Sequence, residues 1–178
     1  RKGNDYRELI RIGDGLLKQM EHIAVEEKLA VNQIQVQTYQ YKDTYVTTKA
    51  QRQKQITHIK EQISRAENED VKRVFQSALE FAEKQREGGT FVMNIKGTIL
   101  RMGDMEIVTM PAELFSCFGL AIKQAMDVKY PMFWGYSNYS VGYLYNKEEA
   151  GLTFESAATN IPAGVTEKIC EYLCELVK

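Results

Sequence analysis

Gly88–Glu113, GGTFVMNIKGTILRMGDMEIVTMPAE, is the stretch on which the fold turns. Phe91, Met93 and Ile95 alternate with Val92, Asn94 and Lys96, the period-two pattern of a strand. Ile99–Arg101 and Glu106–Thr109 then flank Gly103-Asp104, a residue pair suited to a tight turn between two strands. Pro111 follows. Its ring fixes φ and removes a donor, which suits the first position of a helix. That helix would turn Leu114, Phe115, Phe118, Ile122 and Met126 inward. Strands running into a helix point to a mixed α/β domain.

The same reading extends outward. Downstream, Pro131–Tyr136 reads as a buried strand, and a loop rich in tyrosine and glycine follows it. From Gly164 to the end, Val165, Ile169, Leu173, Leu176 and Val177 recur at helical spacing. Upstream, Lys49–Arg86 is charged and free of Gly and Pro. It carries two thin apolar stripes, one on Ile56, Ile59, Ile63 and Ala66, the other on Val71, Val74, Phe75, Ala78, Leu79 and Ala82. The polar break AENED at 66–70 separates them, and Gly88-Gly89 ends the second. This is a protruding antiparallel helical hairpin, 49–87, either a simple packed hairpin or a surface for a partner. Asn32–Tyr41 alternates as a strand, with Ile34, Val36 and Thr38 on the buried side and Gln33, Gln35, Gln37 and Tyr39 on the polar side. Asp5 to about Lys28 is an amphipathic helix capped by Asn4, with Tyr6, Leu9, Ile10, Leu16, Leu17, Met20, Ile23 and Ala24 at helical spacing. The expectation is a single α/β domain over 1–178, a mixed sheet flanked by helices.

Composition excludes several functions. A net charge of −1 over 178 residues argues against a nucleic-acid surface or a polybasic membrane patch. No apolar run reaches the ~20 residues of a membrane helix. Three cysteines form no disulfide framework, which favours a reducing, cytoplasmic compartment. Cys170 and Cys174, four apart, read as core-facing thiols rather than a metal pair. Arg1 stands where a Met would begin a complete chain, so a fragment of a longer polypeptide is expected.

Chemistry has few places to sit. Glu113 is either a carboxylate stabilised by a helix N-terminus or a ligand facing a cleft. The run WGYSNYSVGYLY at 134–145 is dense in aromatic residues. It is either packing or pocket lining, and a bound dication can hold a phenol there as phenolate. His22 and His58 read as solvated surface residues. With no H-x-H, H-E-x-x-H or C-x-x-C spacing, the chain has no complete set of zinc ligands of its own.

Met102–Phe115, MGDMEIVTMPAELF, resembles a family pattern of G-D, a hydrophobic strand, then P-G-E and a helix. Gly135-Tyr136-Ser137-Asn138, Gly142-Tyr143, Glu148-Glu149 and Phe154-Glu155 follow in the order of the same family's G-(Y/L)-(A/S)-N, tyrosine, E-E and Y-E. The family is that of the neutral/alkaline non-lysosomal ceramidases. Arg7–Gly13 is similar to the helix after its serine segment, so the match spans most of the chain, and it is specific from Gly103 to Glu155. The resemblance implies a zinc-dependent amidase that cleaves N-acyl sphingoid bases with zinc-activated water. It implies Glu113 and Tyr143 as metal ligands, and two histidine ligands from the N-terminal half of the same polypeptide. Tyr136, Asn138 and Tyr139 are expected to shape the substrate pocket. The fragment alone is expected to be inactive. Ala112 replaces the glycine of P-G-E, Leu144–Lys147 a hydroxyl-rich stretch and Phe154 a tyrosine, and the interval from Tyr143 to it is one residue short. These departures keep a non-lipid amide or ester open as substrate, and a non-catalytic binding module open as the role. The family resemblance also leaves secretion open.

Overall fold

In a computed structural model, residues 6–23 and 28–178 are described. The alternating stretch that decides the fold becomes two strands of one sheet, β2 (Gly89–Met102) and β3 (Met105–Thr109), paired antiparallel across the Gly103-Asp104 turn. Before them come the helix α1 (Tyr6–His22), the strand β1 (Ile34–Thr47) and the hairpin helices α2 (Lys49–Arg65) and α3 (Glu69–Lys84). After them come β4 (Glu113–Leu114), α4 (Ser116–Ala125), β5 (Tyr130–Trp134), β6 (Tyr143–Leu144), α5 (Phe154–Ala157) and α6 (Val165–Leu176). The main sheet runs β1-β2-β3-β5, and β4 and β6 form a second, two-stranded one. β1, β2 and β3 are antiparallel neighbours, whereas β5 lies parallel to β3 after a crossover through α4. The fold class is mixed α/β, as the pattern implied.

The chain divides into two units, Arg1–Ala30 and Val31–Lys178. In the first, α1 buries none of its residues, and its apolar stripe is exposed. The helix closes at His22, and Lys28 is not helical. Asn4, Asp5 and Ala24, assigned to this helix from the sequence, lie outside the described residues.

In the second unit, the inner face of the sheet meets α4 and α6. Met93, Ile95, Ile99 and Val108 pack there with Ile122, Val165, Ile169 and Leu173. β1 joins this core with the face opposite to the expected one. Tyr39 is 5% exposed, while Ile34 and Val36 are 59% and 64% exposed. Alternation fixes the period of a strand but not which face is inward: residues 34–38 are exposed on both faces, and from Tyr39 onward the odd-numbered side chains face the core. The partner strand decides it. Gly97 lies opposite Tyr39, and a Cβ there would stand 2.4 Å from the tyrosine ring. The bare glycine lets the ring cross β2, and its hydroxyl donates to the Thr109 carbonyl at 2.6 Å.

The hairpin has a core of its own. Ile56 and Ile59 of α2 meet Phe75, Ala78 and Ala82 of α3, with Ala157 of α5 against them. Thr48 and Gln51 form a capping box at the start of α2, and Asn68 caps α3. Of the cysteines, Cys117 is exposed, Cys170 buried and Cys174 half-buried, all as free thiols. Among the described residues no helix is long and apolar enough to cross a membrane.

Two further expectations are corrected. Pro111 does not open a helix: residues 111–112 bend, Glu113–Leu114 is a strand, and α4 begins only at Ser116. Leu114 and Phe115 therefore lie before the helix. Strand pairing wins here because Glu113 N–H donates to the Gly142 carbonyl at 3.0 Å and Phe115 N–H to Leu144 at 3.1 Å. The segment 131–136 is not a buried strand either. β5 ends at Trp134, and it is a sheet edge with Met132 and Trp134 exposed.

Candidate functional site

The backbone from Met110 to Phe115 and the aromatic loop are laced together by hydrogen bonds. Met110 N–H donates to the Trp134 carbonyl at 2.8 Å, Tyr136 N–H to Ala112 at 3.2 Å, Ser137 N–H to Met110 at 3.1 Å and Val141 N–H to Pro111 at 2.8 Å. The chain leaves β3, bends over Pro111-Ala112 and enters β4, which runs parallel to β6. Ala112 is fully buried, with its methyl in the main core, and its φ is not left-handed. Alanine in place of the family's glycine is thus accommodated without backbone strain.

This lacing sets Glu113 directly opposite Tyr143 in the β4–β6 register. Residues directly opposite one another in a strand pair have neighbouring side chains. The phenols of both Tyr143 and Tyr136 lie near enough to the Glu113 carboxylate for it to hold their protons on. With the Glu113 carboxylate as the first cause and burial as the second, the Tyr136 phenol is pushed up to about 12. Tyr143 is also raised, by burial first, then by the neighbouring Glu113 carboxylate and the charge of Glu155. Phe154 meets Tyr143 edge-on, with ring centroids 6.0 Å apart. Glu113, Tyr136, Tyr143, Phe154 and Glu155 therefore gather at one place. The two last came from the matched motif without an assigned role, and their nearness to Tyr143 depends on the turn that α5 makes.

The remaining expected pocket residues go elsewhere. The Tyr139 hydroxyl accepts from Lys96 N–H at 2.9 Å and donates to the Asn94 carbonyl at 3.0 Å. It is committed to the backbone of β2. Asn138 lines a separate depression with Thr38, Gly97 and Tyr139. Tyr136 and Asn138 hold φ of 54° and 71°, a left-handed conformation that non-glycine residues enter at a cost. His22 is exposed, as expected, whereas His58 is half-buried and packs beside Gly151.

A carboxylate is an oxygen donor that zinc accepts, and a phenol becomes one when a neighbouring dication takes up its proton's place. Among the described residues no group of three or more His, Cys, Asp or Glu side chains could hold a metal ion.

No protein-family model and no curated protein matches the chain. Among solved structures, the neutral ceramidase from Pseudomonas aeruginosa is similar over 48% of this chain and 15% of that one, at 19% identity and a TM-score of 0.44. A ceramidase complexed with C2 is similar over 47% of this chain and 14% of its own, at 23% identity and a TM-score of 0.39. The aligned part is thus a small share of those longer chains. Both are ceramidases, the family that the motifs resemble.

Proposed function

We propose that this chain is part of a ceramidase-like hydrolase of linear N-acyl amides and that it contributes Glu113 and Tyr143 to a zinc site. The observation behind the reading is the register pair itself, a carboxylate facing a phenol across two parallel strands, at the motif positions where the family resemblance calls for ligands. Zinc, when bound, supplies a Lewis acid that makes hydroxide available near neutral pH.

The chain's own residues prepare for that charge. Without a cation, the Tyr143 and Tyr136 phenols keep their protons beside the Glu113 carboxylate. A dication beside them would compete for the carboxylate and favour loss of the Tyr143 proton. The β4–β6 pairing fixes the Glu113 backbone, and Phe154 limits the swing of the Tyr143 ring. Tyr136 is exposed and stands where a substrate carbonyl or amide could meet its hydroxyl. The family resemblance assigns the histidine donors to the N-terminal half of the polypeptide.

Zinc content of the full-length protein tests this. The wild type should hold about one zinc per chain, Glu113→Ala should lose it and Tyr143→Phe should hold it more weakly, with folding checked by circular dichroism. Residues 1–178 alone should bind zinc weakly and be inactive. Equal zinc in all three proteins, or none in any, returns Glu113 to a carboxylate that only neighbours two phenols. N-acyl amides of graded chain length then separate a lipid substrate from a short one, since each buried methylene adds about 0.8 kcal/mol to binding.

A further inference from the structure

Away from Glu113, a cavity of about 290 Å³ opens between α2 and the segment 145–163. Its size is near the lower end of small-molecule sites, about 300–1,000 Å³. Arg52, Lys54 and His58 line it, and no carboxylate does. Arg52 is only 6% exposed. Among the described residues it makes no ion pair: its guanidinium donates to the Gln55 side chain at 2.6 Å, to Asn160 Oδ1 at 3.2 Å and to Gln85 Oε1 at 3.4 Å, all neutral acceptors. Its Nε–H is buried and has no hydrogen-bond partner. A buried charge without a counter-ion is costly, and a buried donor without an acceptor adds to that cost. An arrangement that keeps both is complementary to an anion.

We propose that this cavity binds a small oxyanion, a carboxylate or a phosphate group, on the Arg52 guanidinium. The planar fork of arginine matches two oxygens of such a group, and its buried Nε–H has no partner of its own. Arg52 lies in the first turn of α2, where the helix dipole also favours negative charge. Lys54 adds a second cation at the rim, and Gln51 offers an amide. Tyr145, Ile161 and Pro162 form the apolar wall, so the ligand carries a small apolar body beside its charged group. Gly151 is needed beside it, because a Cβ there would stand 2.9 Å from the His58 ring that lines the site. Nothing in this proposal depends on the zinc reading, since none of these residues belongs to the Glu113 cluster.

The test is calorimetric titration of the full-length protein with inorganic phosphate and, separately, with butyrate at matched ionic strength. One-to-one binding of either anion is expected, and the better ligand identifies the source of the oxyanion. Arg52→Gln should weaken it about tenfold or more, the usual loss for a charge-assisted hydrogen bond. Lys54→Glu changes an exposed residue and should fold normally while repelling the anion. It keeps the proposal testable if Arg52→Gln is unstable. Failure of both anions to bind the wild type, or binding that survives unchanged in Lys54→Glu and in a folded Arg52→Gln, overturns the proposal. Arg52 would then be a tether between α2 and Asn160.

Discussion

Tyr145 shows how one side chain reports its surroundings. It is 5% exposed, and its hydroxyl donates to the Ile161 carbonyl at 3.0 Å. Burial pushes the phenol up to about 12; Arg52 opposes that shift and Glu167 adds to it. The folded state therefore keeps a proton that the unfolded chain loses near pH 10. Stability is unaffected below pH 10 and falls as pH rises from 10 to 12, by up to about 2 kcal/mol from this group. Tyr145→Phe should cost about 1–2 kcal/mol at neutral pH, because the Ile161 carbonyl loses its donor. It should also flatten the alkaline limb of a denaturation series between pH 10 and 12. A limb parallel to that of the wild type would contradict this assignment. Glycine 97 makes the complementary point, since a missing side chain there decides which face of β1 is inward.

At the level of elements, β3 is shorter than the strand it pairs with. It covers only Ile99–Met102 of β2. Beyond its end, Thr98 N–H turns to the Thr109 hydroxyl at 2.9 Å, while Lys96 N–H and the Asn94 carbonyl turn to the Tyr139 hydroxyl. A phenol from the aromatic loop thus stands in for a missing stretch of strand and ties that loop to the sheet. Tyr139→Phe should speed amide exchange of Lys96 about tenfold or more while leaving exchange at Ile95 and Ile99 near wild type. Uniformly faster exchange along β2 would mean that the hydroxyl supports the whole sheet rather than the loop.

For the whole molecule, both apolar clusters draw all their residues from 31–178. That unit should keep its cooperative transition without residues 1–30, with a melting temperature within about 2 °C of the longer chain. A much larger loss would assign α1 a stabilising role. The α/β class, the hairpin, the Gly103-Asp104 turn and the last helix were legible in the sequence, because they rest on periodicity and turn chemistry, which are local. Glu113 and Tyr143 were legible as a pair only through motifs, since thirty positions separate them and no spacing rule links two short parallel strands. What tertiary structure alone decided was the end of β3 in a bend rather than a helix, and the inward face of β1. It also decided the diversion of Tyr139 to β2 and the burial of Arg52 beside Asn160. In each case the outcome depends on a partner far away in the chain that satisfies a backbone group or fills a volume, and local preference yields to it.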